Sequence, residues 1–333
     1  MTTITGDLRC TNASQLTSLS AGSLQEIQGT WDLEEIQILS SLQFNYIARV
    51  NRIRWIALPG LQSLNFGSGV SEANTIYISN TGLTDLAGIE LTGCASMDIN
   101  NNQYLKTINV NSLSNVTQAL SFSANGLNLA IDFPNLEQAG NLTFRNVSSI
   151  SMPSLATVPG SIGFYSNYFQ GFAAPNLTQT GNTIAFADNA NLNNLSFPSL
   201  TTIGGGLLIA NNTNLGSING FPELATINGD INFYGTFDSV AFASLTDVKG
   251  AANVYTSSTN TTICDLFNRA HSGQAIKGNV HCETSSTNTA NNGSSTSSGS
   301  GSSSSKGAAS SLSYDPTAPL TGLAAFIAAV LFI

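Results

Sequence analysis

A short unit of the form apolar–any–apolar returns every 20 to 24 residues along most of the chain, and this period limits the possible folds more than any other feature. Clear copies are Leu8-Arg-Cys10, Trp31-Asp-Leu33, Ile53-Arg-Trp55, Ile76-Tyr-Ile78, Met97-Asp-Ile99 and Leu120-Ser-Phe122. They continue as Leu142-Thr-Phe144, Ile162-Gly-Phe164, Ile184-Ala-Phe186, Leu207-Leu-Ile209 and Ile231-Asn-Phe233, with a degenerate twelfth copy at Ala252-Asn-Val254. In an extended strand, residues i and i+2 point to the same face. A single short strand cannot bury that face, whereas parallel stacking of successive copies builds a ladder over a continuous core. A second marker keeps the same rhythm: Pro134-Asn-Leu136, Pro153-Ser-Leu155, Pro175-Asn-Leu177, Pro198-Ser-Leu200 and Pro222-Glu-Leu224, then Ala243-Ser-Leu245 without the proline. There the proline sets a bend and the leucine returns to the core.

The fold expected is all-β: one right-handed parallel β-solenoid over residues 1–283, with about 12 rungs of about 22 residues. At about 4.8 Å per rung this is a rod roughly 55 Å long. Asn80, Asn101, Asn125, Asn146, Asn167, Asn189 and Asn211 follow their strands at nearly constant offset and are expected to satisfy backbone groups at the turn. Cys264 and Cys282 bracket a short segment near the end of the head and read as a closing disulfide. Asp265 to His271, inside that loop, reads as a helix capping the last rung, where an open edge would otherwise invite pairing. Cys10 and Cys94 lie about four rungs apart, too far to bridge. They read as buried free thiols, or Cys10 as the partner of a residue upstream.

Only 9% of residues are charged, and Asn, Ser, Thr and Gly supply the polarity; typical soluble domains carry roughly 25% charge. Such a surface suits a chain kept soluble by glycans. The net charge of −9, with ten basic residues forming no patch, argues against a nucleic-acid partner. No CxxC pair occurs and there are two histidines, His271 and His281, so a structural zinc site is not expected. Neither a phosphate loop nor a dinucleotide fingerprint is present, and no cofactor is expected.

Residues 284–306 are nearly all Ser, Thr, Asn and Gly and read as a stalk without a core of its own. Residues 307–333 carry small residues at Gly307-Ala-Ala309, a polar spacer and the apolar end Leu320–Ile333. Those 14 apolar residues fall short of the roughly 20 that a spanning helix needs. The pattern is that of a GPI-attachment signal, removed on maturation, with Gly307 as the attachment residue and Ala308 or Asn292 as fallbacks. Such a protein enters the secretory pathway, yet Met1 to Leu8 has neither charged start nor apolar run, so the expectation is that the given sequence begins inside the full protein. Nine N-x-S/T sequons occur, at Asn12, Asn115, Asn141, Asn146, Asn176, Asn194, Asn211, Asn260 and Asn292. A turn role competes with a glycan at Asn146, where it is favoured, and at Asn211, where the choice stays open. Asn12, Asn115, Asn141, Asn176, Asn194 and Asn260 are the glycosylation sites expected.

Taken with the stalk and tail, these units resemble a known family: fungal GPI-anchored cell-wall organisation proteins with a leucine-rich-repeat-like, receptor L-domain-like head. The segments Asn141-Leu-Thr-Phe-Arg-Asn146 and Gly160-Ser-Ile-Gly-Phe-Tyr-Ser-Asn167, the Phe/Ala-Pro-x-Leu turns and the closing Cys264…Ile276-Lys-Gly…Cys282 carry the resemblance, from about residue 4 to the tail. It implies a role in wall integrity and morphogenesis, heavy glycosylation, a glucan partner in the wall, and membrane attachment through the GPI lipid at the outer leaflet. The signal peptide and cysteine-bearing cap with which that family begins have no counterpart here.

Parallel β-helices also host polysaccharide hydrolases, which need two carboxylates about 5–9 Å apart. The outward column of the strands reads Arg9, Asp32, Arg54, Tyr77, Asp98, Ser121, Thr143, Gly163, Ala185, Leu208, Asn232, Asn253. Asp32 and Asp98 stand three rungs apart, roughly 14 Å, and cannot cooperate. Asp32 and Glu34 share a face of one strand about 7 Å apart. Flanking Arg9 and Arg54 would lower their pKa, opposite to what a catalytic acid needs. The expectation is a protein that is not an enzyme, with a carbohydrate-active β-helix as the disfavoured alternative. As a receptor-like alternative, Tyr77, Tyr165, Tyr234 and Tyr255 are the candidate ligand face for a wall polysaccharide or protein.

Overall fold

The structure is a computed structural model that describes residues 1–286. Most of the expected stalk, Asn292, Gly307 and the apolar tail lie outside the described residues.

The apolar–any–apolar units are the rungs. Twelve parallel strands stack in sequence order: β1 (Leu8–Thr11), β2 (Glu26–Glu34), β3 (Arg49–Leu58), β4 (Glu72–Thr81), β5 (Gly93–Asn100) and β6 (Asn115–Ser123), then β7 (Gln138–Arg145), β8 (Ile162–Tyr165), β9 (Ile184–Ala187), β10 (Leu207–Ala210), β11 (Ile231–Gly235) and β12 (Ala252–Thr256). Eleven turns of solenoid connect them. Two-residue periodicity sends Ile76 and Ile78, or Ile162 and Phe164, into a core at 0–1% exposure. Phe122, Phe144, Phe164 and Phe186 fill the same inward place on four successive rungs, stacked with centroids 6.0, 5.5 and 4.8 Å apart. Stacked aromatics of this kind contribute about 0.5–1.5 kcal/mol per pair beyond their buried area.

The Pro-x-Leu markers are turns. Each leucine N–H donates to the carbonyl just before the proline, as in Leu136 to Phe133 and Leu200 to Phe197, both 3.3 Å. Proline thus sits at the second place of a four-residue turn, where its fixed φ fits. The middle residue is also used: Ser154, Asn176, Ser199 and Ser244 donate side-chain hydrogen bonds to the carbonyls of Pro134, Pro153, Pro175 and Pro222, one rung back.

The turn after each strand differs from expectation. Asn12, Glu35, Ala57, Asn80, Asn101, Ala124, Asn146, Ser166, Asp188 and Asn211, each four residues past the first inward residue, all have φ between 52° and 59°. The next residue carries the buried hydrogen bonding. Asn102, Asn125, Asn167, Asn189 and Asn212 donate Nδ2 to the carbonyls of Ile78, Ile99, Phe144, Phe164 and Phe186 on preceding rungs. Their Oδ1 atoms receive backbone N–H groups of Thr81, Asn102, Val147, Asn167 and Asn189. The expected single asparagine column is therefore two: Asn80, Asn101, Asn146 and Asn211 take the left-handed bend, and Asn125, Asn167 and Asn189 bridge rungs. Asparagine suits both places, since it tolerates positive φ and carries both donor and acceptor.

At the C-terminal end, α1 (Thr262–Ser272) buries Ile263, Cys264 and Phe267 over the last rungs, with Phe267 edge-on to Phe233 at 6.2 Å. The chain then adds a thirteenth strand, β13 (Val280–Glu283), parallel to β12. The expected cap is thus a helix plus one more rung. Cys264 and Cys282 form the disulfide joining them, Cα–Cα 5.4 Å. Cys10 is a partly buried free thiol and Cys94 a buried one, whose pKa burial pushes up to about 11.

Candidate functional site

The strand registers reproduce the outward column from Arg9 to Asn253 and extend it to His281. The column divides into a charged N-terminal third and a nearly uncharged remainder.

In the charged third, Arg54 Nη1 donates to Asp32 Oδ1 (2.6 Å) and Glu34 Oε2 (2.9 Å), and Nη2 to Glu34 Oε1 (3.2 Å). Arg9 closes on Asp32 Oδ2 from the other side at 3.2 Å. The hydrogen bonds from Arg54 hold Glu34 below its ordinary carboxylate range, and the same contacts raise Arg54. A carboxylate pinned in its ionised form cannot serve as a general acid near neutral pH. Asp32 and Asp98 remain separated by the rungs of Arg54 and Tyr77.

Beside the pairs lies a shallow depression of about 500 Å³ lined by Thr30, Arg52, Arg54, Ile56, Thr75 and Tyr77. Arg52 is a functional candidate that the column reading passed over, because it stands two residues before Arg54 at the strand's leading end.

The four tyrosines do not form one face. Tyr77 is 36% exposed and lies in the depression. Tyr165 is 9% exposed: its ring folds into the space left by Gly163, where any Cβ would collide with it, and the Arg145 guanidinium covers it at 4.3 Å. Burial raises its phenol pKa, and Arg145 partly offsets this. Tyr234 and Tyr255 do come together, stacked at 5.5 Å and 7° on adjacent rungs. Burial, then the neighbouring Tyr255 and Asp230, raise Tyr234. Next to them Asn253 Nδ2 donates to Asn232 Oδ1 at 2.9 Å, so the C-terminal stretch is an aromatic pair beside an amide pair.

Among the expected sequons, Asn12, Asn115, Asn141, Asn176 and Asn194 are exposed, and Asn260 is half-buried. Asn260 Oδ1 accepts from Thr262 N and Oγ1 while Nδ2 donates to the Asp238 carbonyl. Asn146 and Asn211, both half-buried, stand outside the buried amide bridges.

Comparison with known proteins decides the family. Protein ecm33 of Aspergillus fumigatus is 40% identical over 293 residues, 88% of this chain and 73% of that protein. The chain belongs to the Ecm33 family of fungal cell-wall proteins. A cell surface GPI-anchored protein of Arthroderma benhamiae is 40% identical over 279 residues, covering 84% of this chain and 71% of the relative. Cell wall protein ecm33 of Schizosaccharomyces pombe is 31% identical over 259 residues, covering 78% and 61%. No family model and no solved structure matches. Ecm33-family membership makes this a protein of the cell surface and wall, and the resemblance carried by the strand units and Pro-x-Leu turns is confirmed.

Proposed function

We propose that this Ecm33-family chain acts without catalysing a reaction, as a GPI-anchored structural glycoprotein that organises the fungal wall and associates with its glucan. The observation that carries the non-catalytic reading is the clamp of Arg54 on Asp32 and Glu34. From Ser121 to Asn253 the outward column then offers no ionisable group. Treating cells with phosphatidylinositol-specific phospholipase C and weighing the C-terminus of the released protein tests the anchor. A glycolipid remnant near Gly307 is expected, whereas a polypeptide ending at Ile333 would overturn it.

The stacked Tyr234–Tyr255 pair favours a second reading, in which the solenoid itself holds glucan rather than acting only through glycans and anchor. Aromatic faces beside amide donors suit neutral sugars. Saturable retention on laminarin but not chitin, lost in Tyr234→Ala with Tyr255→Ala, is the result expected. Retention unchanged in that variant sinks the ladder-face reading and leaves the structural one.

A further inference from the structure

We propose that the depression between β2, β3 and β4 is a binding site for an acidic saccharide, one that bears a single phosphate or carboxylate. It is separate from the Tyr234–Tyr255 stretch and stands independently of the glucan reading.

Of the arginines on β3, Arg49 pairs with Glu26 at 3.5 Å and Arg54 with Asp32 and Glu34. Arg52 has no carboxylate within ion-pair reach among the described residues. Its register neighbours are Thr30 and Thr75, both hydroxyl residues. Asp32 and Glu34 are taken up by Arg9 and Arg54, and the other carboxylates nearby, Glu72 opposite Arg49 and Asp98 opposite Tyr77, form no ion pair with Arg52.

Arg52 lines the shallow, open depression of about 500 Å³ together with Tyr77 and Ile56. Residues 52 and 54 lie on one face roughly 7 Å apart. Arg54 is already held in place by its two carboxylates, so its position is set before any ligand arrives. The chemistry matches a sugar with a charged substituent: Arg52 takes the anion through charge-assisted hydrogen bonds. The Tyr77 ring, 36% exposed, packs on the apolar face of the pyranose, and the hydroxyls of Thr30 and Thr75 meet its hydroxyls. An uncharged saccharide leaves Arg52 unused, and a bare anion leaves Tyr77 unused.

The test is calorimetric titration of the purified full chain with glucose 6-phosphate, glucuronate, glucose and inorganic phosphate at low salt. At least one of the two acidic sugars is expected to bind roughly tenfold or more tightly than both glucose and inorganic phosphate, and to weaken as salt rises. The two acidic sugars distinguish a phosphate from a carboxylate ligand. Arg52→Gln is expected to remove the preference for the acidic sugar over glucose. Tyr77→Leu is expected to remove its preference over inorganic phosphate. Arg52 is exposed and unpaired, so its variant should melt with the parent protein. Equal affinity for glucose, equal affinity for inorganic phosphate, no binding at all, or a folded Arg52→Gln variant that binds unchanged would each overturn the proposal. None of these results bears on laminarin retention by Tyr234 and Tyr255.

Discussion

Asn189 Oδ1 accepts both the backbone N–H of Asn167 (2.9 Å) and its side-chain Nδ2 (3.0 Å), from a residue 22 positions earlier. Both residues are at most 2% exposed, so these bonds have no replacement in water. Asn189 also returns Nδ2 to the Phe164 carbonyl at 3.0 Å. One side chain thus stitches two rungs where the strand ladder ends and the chain turns left-handed.

Asn189→Ala is therefore expected to destabilise the solenoid by about 2 kcal/mol or more, since it takes these partners from the buried Asn167 N–H and Phe164 carbonyl at roughly 1–3 kcal/mol each, while Asn167 Nδ2 keeps its bond to the Phe144 carbonyl. Asn193→Ala, an exposed side chain four residues away, should stay within about 0.5 kcal/mol of the parent. Urea unfolding midpoints of the two variants check this. Equal midpoints would mean that the amide bridges follow the fold without stabilising it.

The disulfide holds α1 against β13, the last strand to join the ladder. Replacing Cys264 and Cys282 with serine should cost about 2–4 kcal/mol. The loss should be local first, because the remainder of the solenoid keeps its own stacked core. Hydrogen exchange should speed up over Thr262–Glu283 while amides around Phe164 and Phe186 keep their protection. Uniform acceleration along the chain would instead place the cap at the centre of the cooperative unit.

The repeat made the ladder and its outward column legible because period-two alternation leaves no choice of face once the rungs align. Turn detail was less legible. The residue four places past each rung start and the one after it both favour asparagine, one for its tolerance of positive φ and the other for its donor and acceptor. Asn101 and Asn102 sit side by side, and spacing alone cannot assign them. β13 carried its own signal in Val280-His-Cys282, hidden because a helix intervenes and lengthens the repeat. Equal offset put Tyr165 with Tyr234 and Tyr255, but whether a ring stands up or lies down depends on the neighbour two residues earlier. Gly163 leaves room for Tyr165 to collapse, whereas Asn232 occupies that place beside Tyr234, 3.5 Å from its hydroxyl. Arg52 escaped notice because its interest lies in a missing partner, which becomes visible only when the registers are known.

Glu34 makes the stability of the N-terminal rungs dependent on acid. Its folded pKa lies below the ordinary 4.5, chiefly through hydrogen bonding to Arg54. A carboxylate depressed in the folded state binds protons more readily when unfolded. Its stabilising contribution is thus fully present above about pH 4.5 and is lost as pH falls through the lowered value. In Glu34→Gln this loss is absent, so the stability gap between parent and variant should narrow on acidification below 4.5. Carbon-detected NMR titration of the Glu34 carboxyl gives the direct check, and Arg54→Gln should bring its midpoint back toward the ordinary value. A Glu34 midpoint at or above 4.5 in the parent would contradict the clamp on which the non-catalytic reading rests.

Glycan occupancy should follow the work each asparagine already does in the fold. An N-linked asparagine keeps Oδ1 as an acceptor and one Nδ2 hydrogen, so Asn141 can carry a sugar while Oδ1 still receives the Ser161 N–H at 2.9 Å. Asn176 can likewise retain its bond to the Pro153 carbonyl, and Asn12, Asn115 and Asn194 are exposed. Asn260 is bonded as Asn141 is, its oxygen accepting from Thr262 and its amide donating to the Asp238 carbonyl, but it differs in being half-buried where Asn141 is exposed. A glycan there must leave through the one remaining N–H direction, beside the start of α1. Enzymatic deglycosylation in heavy-oxygen water followed by peptide mass analysis should find Asn12, Asn115, Asn141, Asn176 and Asn194 occupied, and Asn260 the least occupied of the six. Because glycans are attached as the chain enters the secretory pathway, a fully occupied Asn260 would mean that transfer precedes formation of the cap. In that case Asn260→Gln should impair secretion more than the matching change at Asn194.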